Sequence, residues 1–242
     1  MSQTNILSGI KAVICDVYGT LLQVGPPSRV AAVVFETLLP VFGGGKGYKK
    51  CPPMPLSEFN ARCEARIAAE NEARRRAGEP FPEVDFKKIA GEIAGARDRG
   101  ASISVLHAHC SRRCTAMPGA PAAIAALRAR GIKCGLASNA QFYTLQELGS
   151  AGYKRLDFIH SLRFLSGDHG FAKPSPRVFA HLTERLASFN IAPHETLMVG
   201  DSLENDILPA TAAGWRTWHI GPKPWGELMD LLLQAKPLRP PS

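Results

Sequence analysis

The chain has 242 residues, 45% hydrophobic and 21% charged, a composition typical of a globular protein with one sizeable core and a smaller second lobe. No apolar run approaches the ~20 residues that cross a bilayer, and the N-terminus lacks a secretory pattern, so we expect a cytoplasmic protein without a membrane partner. The chain has a net charge of +8. Its basic residues are not interleaved with aromatic residues, however, and the sequence contains no recognisable module of nucleic-acid-binding proteins. The charge indicates a solvated basic face or attraction for a small anionic substrate, and we expect no nucleic-acid partner.

The first predicted strand ends in a carboxylate. Residues 12–15 are apolar, Asp16 follows them directly, and a Gly-Thr turn signal at Gly19 and Thr20 comes shortly after. In a parallel sheet, ligands and chemistry collect at the carboxyl ends of the strands. Asp16 must therefore be satisfied by a metal, a hydrogen-bond network or a substrate. Taken alone, it fits an Asx turn or a helix cap equally well.

A helical insertion follows this strand. Apolar residues three and four positions apart predict four helices without intervening strands, over residues 27–42, 55–77, 85–98 and 102–116. Glycines at 43–45 and a Cys-Pro-Pro run at 51–53 predict a flexible connection inside the insertion.

The six cysteines do not indicate a disulfide framework, because the chain is long enough to fold without one. Cys15 and Cys134 lie in predicted buried strands and are expected to pack as small hydrophobic side chains. His107, Cys110 and Cys114 resemble a metal cluster, but the helical period alone would bring them to one face. Since no second ligand pair with zinc-type spacing accompanies them, we do not expect a zinc site.

From Pro118 onward, helices and strands alternate. The predicted helices cover residues 119–130, 140–150, 175–188 and 204–213, and the predicted strands cover residues 132–137, 158–160, 196–200 and 215–220. This alternation predicts a parallel sheet covered by helices on both faces. The proline-rich residues 236–242 are expected to form a loose terminus.

Polar residues end two of these later strands. Ser138 and Asn139 follow one strand, and Asp201 follows another, directly before the helix that carries Asp206. Lys173 lies between them in a Gly/Pro-rich turn. A helix cap would explain Ser138 and a solvated surface would explain Lys173, so none of these residues is decisive alone.

In sequence order, these residues resemble the four motifs of the haloacid dehalogenase-like (HAD) hydrolase superfamily, over residues 10–24 and 118–220: Asp16, Thr20, Ser138, Lys173, Asp201 and Asp206. The resemblance implies an α/β fold with a Rossmann-like core of residues 1–24 and 118–242, its parallel sheet covered by helices on both faces. It also implies an inserted all-helical cap over residues 25–117 that closes over the site. Residues 25–27 and the region around Pro118 are the candidate hinges.

The resemblance implies that Asp16 is a nucleophile that splits a hydrolysis into two displacements. Thr20 would orient the nucleophile or the substrate, and Lys173 would neutralise their charges. Ser138 and Asn139 would hold an oxyanion at the start of the next helix.

The acidic residues predict a magnesium site. If the fold is as expected, Asp201 lies close to Asp16, and two like charges at ~4 Å repel by about 4 kcal/mol at an effective dielectric near 20. A divalent cation removes that repulsion, and oxygen ligands suit Mg²⁺. We assign the ion to Asp16, Asp201 and the backbone carbonyl of Tyr18, with Asp206 as a water-mediated ligand.

Tyr18 leaves the reaction open. Most phosphatases of the superfamily carry there a second aspartate that acts as general acid and base, whereas Asp-x-Tyr-Gly-Thr resembles the metal-independent 2-haloacid dehalogenases. Those dehalogenases, however, have Ser where Asp201 stands and Asn where Leu203 stands. We favour Mg²⁺-dependent hydrolysis of a small phosphorylated metabolite, with Tyr18 and Asn139 contacting the substrate. A 2-haloacid dehalogenase and a non-catalytic ligand-binding member are the alternatives, and the sequence does not indicate an oligomeric state.

Overall fold

The computed structural model describes residues 7–42, 51–221 and 224–234; the predicted flexible glycines at 43–45 and the predicted loose terminus at 236–242 lie outside these ranges. The strands are β1 Ala12–Cys15, β2 Leu22–Gly25, β3 Arg113–Ala116, β4 Lys133–Ser138, β5 Arg163–Leu165, β6 Thr196–Gly200 and β7 Arg216–His219. The helices are α1 Ala31–Phe42, α2 Leu56–Arg76, α3 Phe86–Ile93, α4 Gly100–Ser111, α5 Ala120–Ala129, α6 Thr144–Ser150, α7 Ser166–His169, α8 Pro176–Ala187, α9 Leu208–Ala212 and α10 Trp225–Gln234.

Five strands form a parallel sheet in the order β5-β4-β1-β6-β7, with β1 in the centre. Successive side chains of a strand point to opposite faces, and β1 packs accordingly. Val13 and Cys15 join the core formed with α5 and α10, whereas Ala12 and Ile14 join the core formed with α8. The predicted parallel sheet with helices on both faces is confirmed.

Helices α1 to α4 build a second hydrophobic core, to which Tyr143 is added from the segment between β4 and α6. Phe35, Phe59, Ile89 and Ile103 come from the four helices in turn, and each is at most 1% exposed. The helices lie in the chain between β2 and β3, which pair antiparallel. The helical unit thus leaves and rejoins the sheet through one two-stranded ribbon.

Two predicted elements are wrong. The helix predicted over residues 102–116 ends at Ser111, because residues 113–116 pair with β2 as a strand, so the insertion is not purely helical. The strand predicted at 158–160 lies instead at Arg163–Leu165, where it pairs with β4, and residues 160–162 form a 3₁₀ turn. Both errors involve pairing between distant segments, which local periodicity does not report.

The cysteines are free thiols, and Cys15 and Cys134 are buried in the sheet as predicted. Cys114 lies on β3, so it does not share a helical face with His107 and Cys110. Among the described residues, no helix has the length and apolar character needed to span a membrane.

Candidate active site

The carboxyl edge of the sheet brings the predicted residues together. Because β1 lies between β4 and β6, Asp16 is flanked by Ser138 on one side and by Asp201 on the other. A cavity of about 240 Å³ opens there, lined by Asp16, Tyr18, Ser138, Asn139, Lys173, Asp201, Ser202, Asn205 and Asp206. Thr20 is buried beside this cavity, and its hydroxyl donates to Asp201 Oδ1 at 3.4 Å.

Lys173 connects two of the carboxylates. Its Nζ donates to Asp16 Oδ1 at 2.7 Å and to Asp206 Oδ1, and the lysine side chain is only 3% exposed. Burial disfavours the charged ammonium, but the two carboxylates outweigh burial and raise the pKa of Lys173. The lysine is therefore held as a cation between Asp16 and Asp206.

Three carboxylates lie close together at this site, where Lys173 is the cation that contacts two of them. Oxygen atoms of Asp16, Asp201 and Asp206 lie within 4.8 Å of one another. Burial and the nearby charge of Asp16 raise the pKa of Asp201, and burial raises that of Asp206 in spite of Lys173. The site thus carries more negative than positive charge, and part of that charge is poorly compensated.

This donor set fits a hard divalent cation. All the donors are carboxylate oxygens, which Mg²⁺ prefers. Asp206 has both oxygens engaged, one with Lys173 and the other with the backbone N–H of Ser202 at 3.1 Å. Asp16 and Asp201 are therefore better placed than Asp206 to ligate an ion directly.

Two glycines allow this close packing of carboxylates. Gly19 has φ +83°, and a Cβ at that position would overlap the Asp201 carboxylate. A Cβ at Gly200 would likewise overlap the side chain of Asp206. Only glycine fits at these positions, which explains the Gly that follows Tyr18 and the Gly that ends β6.

Asn139 makes a contact that the sequence did not reveal. Its side-chain amide donates to the backbone carbonyl of Lys173 at 2.9 Å, and its Oδ1 accepts from the Lys173 backbone N–H at 2.8 Å. The amide thus fixes the lysine loop to the end of β4. Contact of Asn139 with substrate stays a prediction.

The Tyr18 hydroxyl is engaged outside the carboxylate group. It donates to Glu147 Oε2 at 2.5 Å, accepts from Arg112 Nη2 at 2.8 Å and lies 2.7 Å from Thr144 Oγ1. Arg112 also pairs with both oxygens of Glu147, at 2.9 and 3.1 Å. Burial raises the pKa of Tyr18 well above its usual value. We call Tyr18, Arg112, Thr144 and Glu147 the tyrosine cluster.

Sequence reasoning missed the partners of Tyr18. Arg112 lies 94 residues away in the chain and Glu147 lies 129 residues away. Neither belongs to a motif, and no local pattern links them to Tyr18. The cluster joins the turn after β1 to α6 and to the segment between α4 and β3.

His107 is a partly buried residue that packs against the aromatic core of the helical unit. Its Nε2 lies 2.8 Å from Asn60 Oδ1, and its ring contacts the rings of Phe35, Phe59 and Phe86. Burial lowers the pKa of His107 to about 4, so the ring is neutral at neutral pH. In the described part of the chain, the aspartate trio alone groups three ligands suited to a metal.

Some known proteins are similar to this chain in sequence, and some solved structures are similar to it in fold. A phosphoglycolate phosphatase from Nitrosospira multiformis is 39% identical over 219 residues, which cover 90% of this chain and 84% of the relative. A phosphoserine phosphatase from Thermus thermophilus is 34% identical over 138 residues, or 57% of this chain. That match spans about half the length of the relative, at 53%.

Solved structures with the same fold include members of two chemical classes. A 2-haloacid dehalogenase from Pseudomonas syringae has a TM-score of 0.59 at 17% identity, with 93% of this chain and 99% of the other covered. A HAD phosphatase from Thermococcus onnurineus has a TM-score of 0.54 at 19% identity, with 95% and 100% covered. At such identities the likeness shows the fold alone. The model of the haloacid dehalogenase-like hydrolases matches residues 10–214, and the chain therefore belongs to this hydrolase family.

Proposed function

We propose that the protein is a Mg²⁺-dependent phosphatase that acts on a small phosphorylated metabolite with Asp16 as nucleophile. The observation that carries this proposal is the convergence of Asp16, Asp201 and Asp206 around Lys173 at the carboxyl edge of the sheet. The phosphatase names of the relatives from Nitrosospira multiformis and Thermus thermophilus support the same class.

Each side chain has a task in this reaction. Asp16 attacks phosphorus through a carboxylate oxygen while the bond from phosphorus to the ester oxygen breaks, and the departing oxygen takes a proton from water. A second water then hydrolyses the aspartyl phosphate, which releases inorganic phosphate and restores the Asp16 carboxylate. Lys173 holds Asp16 in place and offsets the charge of the phosphoryl group. The Ser138 hydroxyl, at the end of β4, would donate to a phosphoryl oxygen.

Mg²⁺ would be held by Asp16, Asp201 and the backbone carbonyl of Tyr18. Bound there, it supplies positive charge for the phosphoryl oxygens. Thr20 keeps Asp201 oriented through its hydroxyl. Asp206 would act mainly by fixing Lys173, and through a water on the ion.

We further propose that residues 25–117 form a cap on a core of residues 1–24 and 118–242. The separate hydrophobic core of α1 to α4 supports this division. The cavity of about 240 Å³ beside Asp16 offers room for a phosphoryl group.

A panel of phosphate esters and 2-haloacids, each assayed with Mg²⁺ and with a chelator, tests the proposal. Phosphate release that stops in the chelator is expected. Halide release that continues in the chelator would establish a dehalogenase, an alternative favoured by the engagement of the Tyr18 hydroxyl outside the carboxylate group. Ligand binding without turnover of either class would indicate a non-catalytic member.

A further inference from the structure

The chain between α2 and α3 reaches across to the lysine loop. Residues 77–85, which we call the connector, include Pro82, and Pro82 forms an antiparallel bridge with Phe171. The Ala172 N–H donates to the carbonyl of Phe81 at 2.9 Å, and the Glu83 N–H donates to the carbonyl of Gly170 at 3.1 Å. These bonds end at the residue directly before Lys173.

The Glu83 carboxylate extends this contact to a second segment of the core. Its Oε2 accepts from the buried hydroxyl of Ser166 at 2.7 Å, and its Oε1 faces Gln141 Nε2 at 3.4 Å. Gln141 also donates to the carbonyl of Val84 at 2.9 Å and accepts from the backbone N–H of Phe86 at 3.1 Å. The connector is therefore bound by side chains as well as by backbone.

The connector is held by residues 139–141 and by the loop of residues 166–173, and both segments include residues of the candidate active site. Gln141 lies two positions after Asn139, and Asn139 binds the backbone of Lys173 on both sides. The Ser166 hydroxyl accepts from the backbone N–H of Ala140 at 2.8 Å, which ties the two segments to each other. Hydrogen bonds from Glu83 to Ser166 and Ala140, and from the adjacent Asn139, thus connect Glu83 to the backbone of Lys173.

We propose that the connector positions Lys173, and that Glu83 is the positioning residue through which it acts. The inference rests on the proposed function, in which Lys173 offsets charge at Asp16. Without the Glu83 carboxylate, the loop of residues 166–173 loses a side-chain contact that helps to orient it, and the Lys173 Nζ shifts relative to Asp16. A small displacement of a catalytic group costs up to about 10²-fold in rate, although the mutated residue does not contact the substrate.

Four variants separate positioning from simple docking of the helices. Glu83→Ala removes the acceptor of the Ser166 hydroxyl, whereas Glu83→Gln keeps its shape and an oxygen acceptor. Arg128→Ala is the matched control, because it breaks an exposed ion pair with Asp157, at 2.6 Å, away from the connector. Ser166→Ala removes the same hydrogen bond from the core side, together with the one from the Ala140 N–H, and serves if Glu83→Ala does not fold.

Steady-state kinetics of the full-length protein on p-nitrophenyl phosphate with Mg²⁺ give the first measurement. For Glu83→Ala we expect kcat to fall about 10- to 10²-fold with KM within about twofold, since the lysine acts on the reacting group. Glu83→Gln and Arg128→Ala are expected to stay within about threefold of the unchanged protein. A kcat for Glu83→Ala equal to that of Arg128→Ala would overturn the proposal.

The ammonium ¹⁵N resonance of Lys173, identified by its loss in Lys173→Met, gives a measurement that needs no turnover. Slow proton exchange is expected in the unchanged protein and in Glu83→Gln, and fast exchange in Glu83→Ala. Unaltered exchange in Glu83→Ala would show that the connector does not hold the lysine. This result decides the role of Glu83 even if the protein hydrolyses no phosphate ester, an outcome that would remove the proposed function alone.

Discussion

The buried polar groups at the carboxyl edge of the sheet include charged side chains, whereas those in the interior of the α1–α4 unit are neutral. At the sheet edge, Asp16, Asp206 and Lys173 are buried as charged or titratable groups, with Asp201 beside them. Inside the helical unit, His107 is kept neutral by burial among aromatic rings. Its Nδ1 has no hydrogen-bond partner among the described residues, as a neutral ring permits.

The difference indicates where function has been retained at a cost in stability. Buried charges are expensive unless they are paired, and a core built for stability alone replaces them with apolar groups. The helical unit follows that rule, since its buried Ser104 hydroxyl donates to a carbonyl one turn earlier, at 2.7 Å. The sheet edge departs from it, because like charges crowd there around a single lysine.

The largest expected effect comes from Asp16→Asn. It removes the nucleophile while keeping size and most hydrogen bonds, so we expect the rate of phosphate release to fall about 10⁴-fold. Asp230→Asn, on the exposed side of α10, is the control and should retain activity. Measurable turnover by Asp16→Asn close to that of the control would mean that another group attacks the substrate.

Lys173→Met tests the charge balance at the sheet edge. Loss of the ammonium leaves Asp16 and Asp206 buried without their partner, and breaking such a pair costs about 3–5 kcal/mol of unfolding free energy. Activity should fall about 10²- to 10³-fold, since a charge that acts in the transition state is lost. Denaturant unfolding at pH 7 measures the first effect. An unfolding free energy equal to that of the unchanged protein would contradict it.

His107 should make the helical unit sensitive to acid. Its pKa is about 4 in the folded protein and near 6.5 when unfolded, so between these values the unfolded chain binds more protons. The contribution of the neutral His107 to the free energy of unfolding is therefore fully present above pH 6.5, and about 3 kcal/mol of it is lost as the pH drops towards 4. In His107→Asn this part of the pH dependence should disappear, while the exposed His109→Gln should keep it. Parallel denaturant curves of the two variants from pH 7 to pH 4 would refute the assignment.

Tyr18→Phe is expected to have the smallest effect. The change removes the hydrogen bonds of one hydroxyl and leaves the pair of Arg112 and Glu147 in place, which costs about 1–2 kcal/mol of stability. Because the hydroxyl faces the tyrosine cluster and not the carboxylates, kcat should change by no more than about threefold. A much larger fall in kcat, with KM unchanged, would show that the hydroxyl takes part in the chemistry.

The residues at the carboxyl edge of the sheet could be predicted from the sequence, because they follow a local pattern. Asp16, Ser138 and Asp201 stand at strand ends, and a strand end is a local pattern that one can read without knowing the neighbours. The parallel sheet then follows from the alternation of helices and strands, and it brings these ends together.

The rest depends on contacts between distant segments. β3 was predicted as helix because its pairing with β2, across the whole helical unit, leaves no local signal. The same holds for the pairing of Asn139 with the Lys173 backbone and of Arg112 with Tyr18. Polar contacts of this kind are fixed by the fold, so they become visible only once the fold is known.

Trapping the covalent intermediate tests the central claim most directly. The protein is mixed with a phosphate ester and Mg²⁺, quenched during turnover and reduced with borohydride, which converts an aspartyl phosphate to homoserine. Peptide mass spectrometry is expected to find homoserine at position 16, and to find aspartate there when substrate is omitted. Sustained phosphate release with unmodified Asp16, or with the modification at Asp201 or Asp206, would contradict the account.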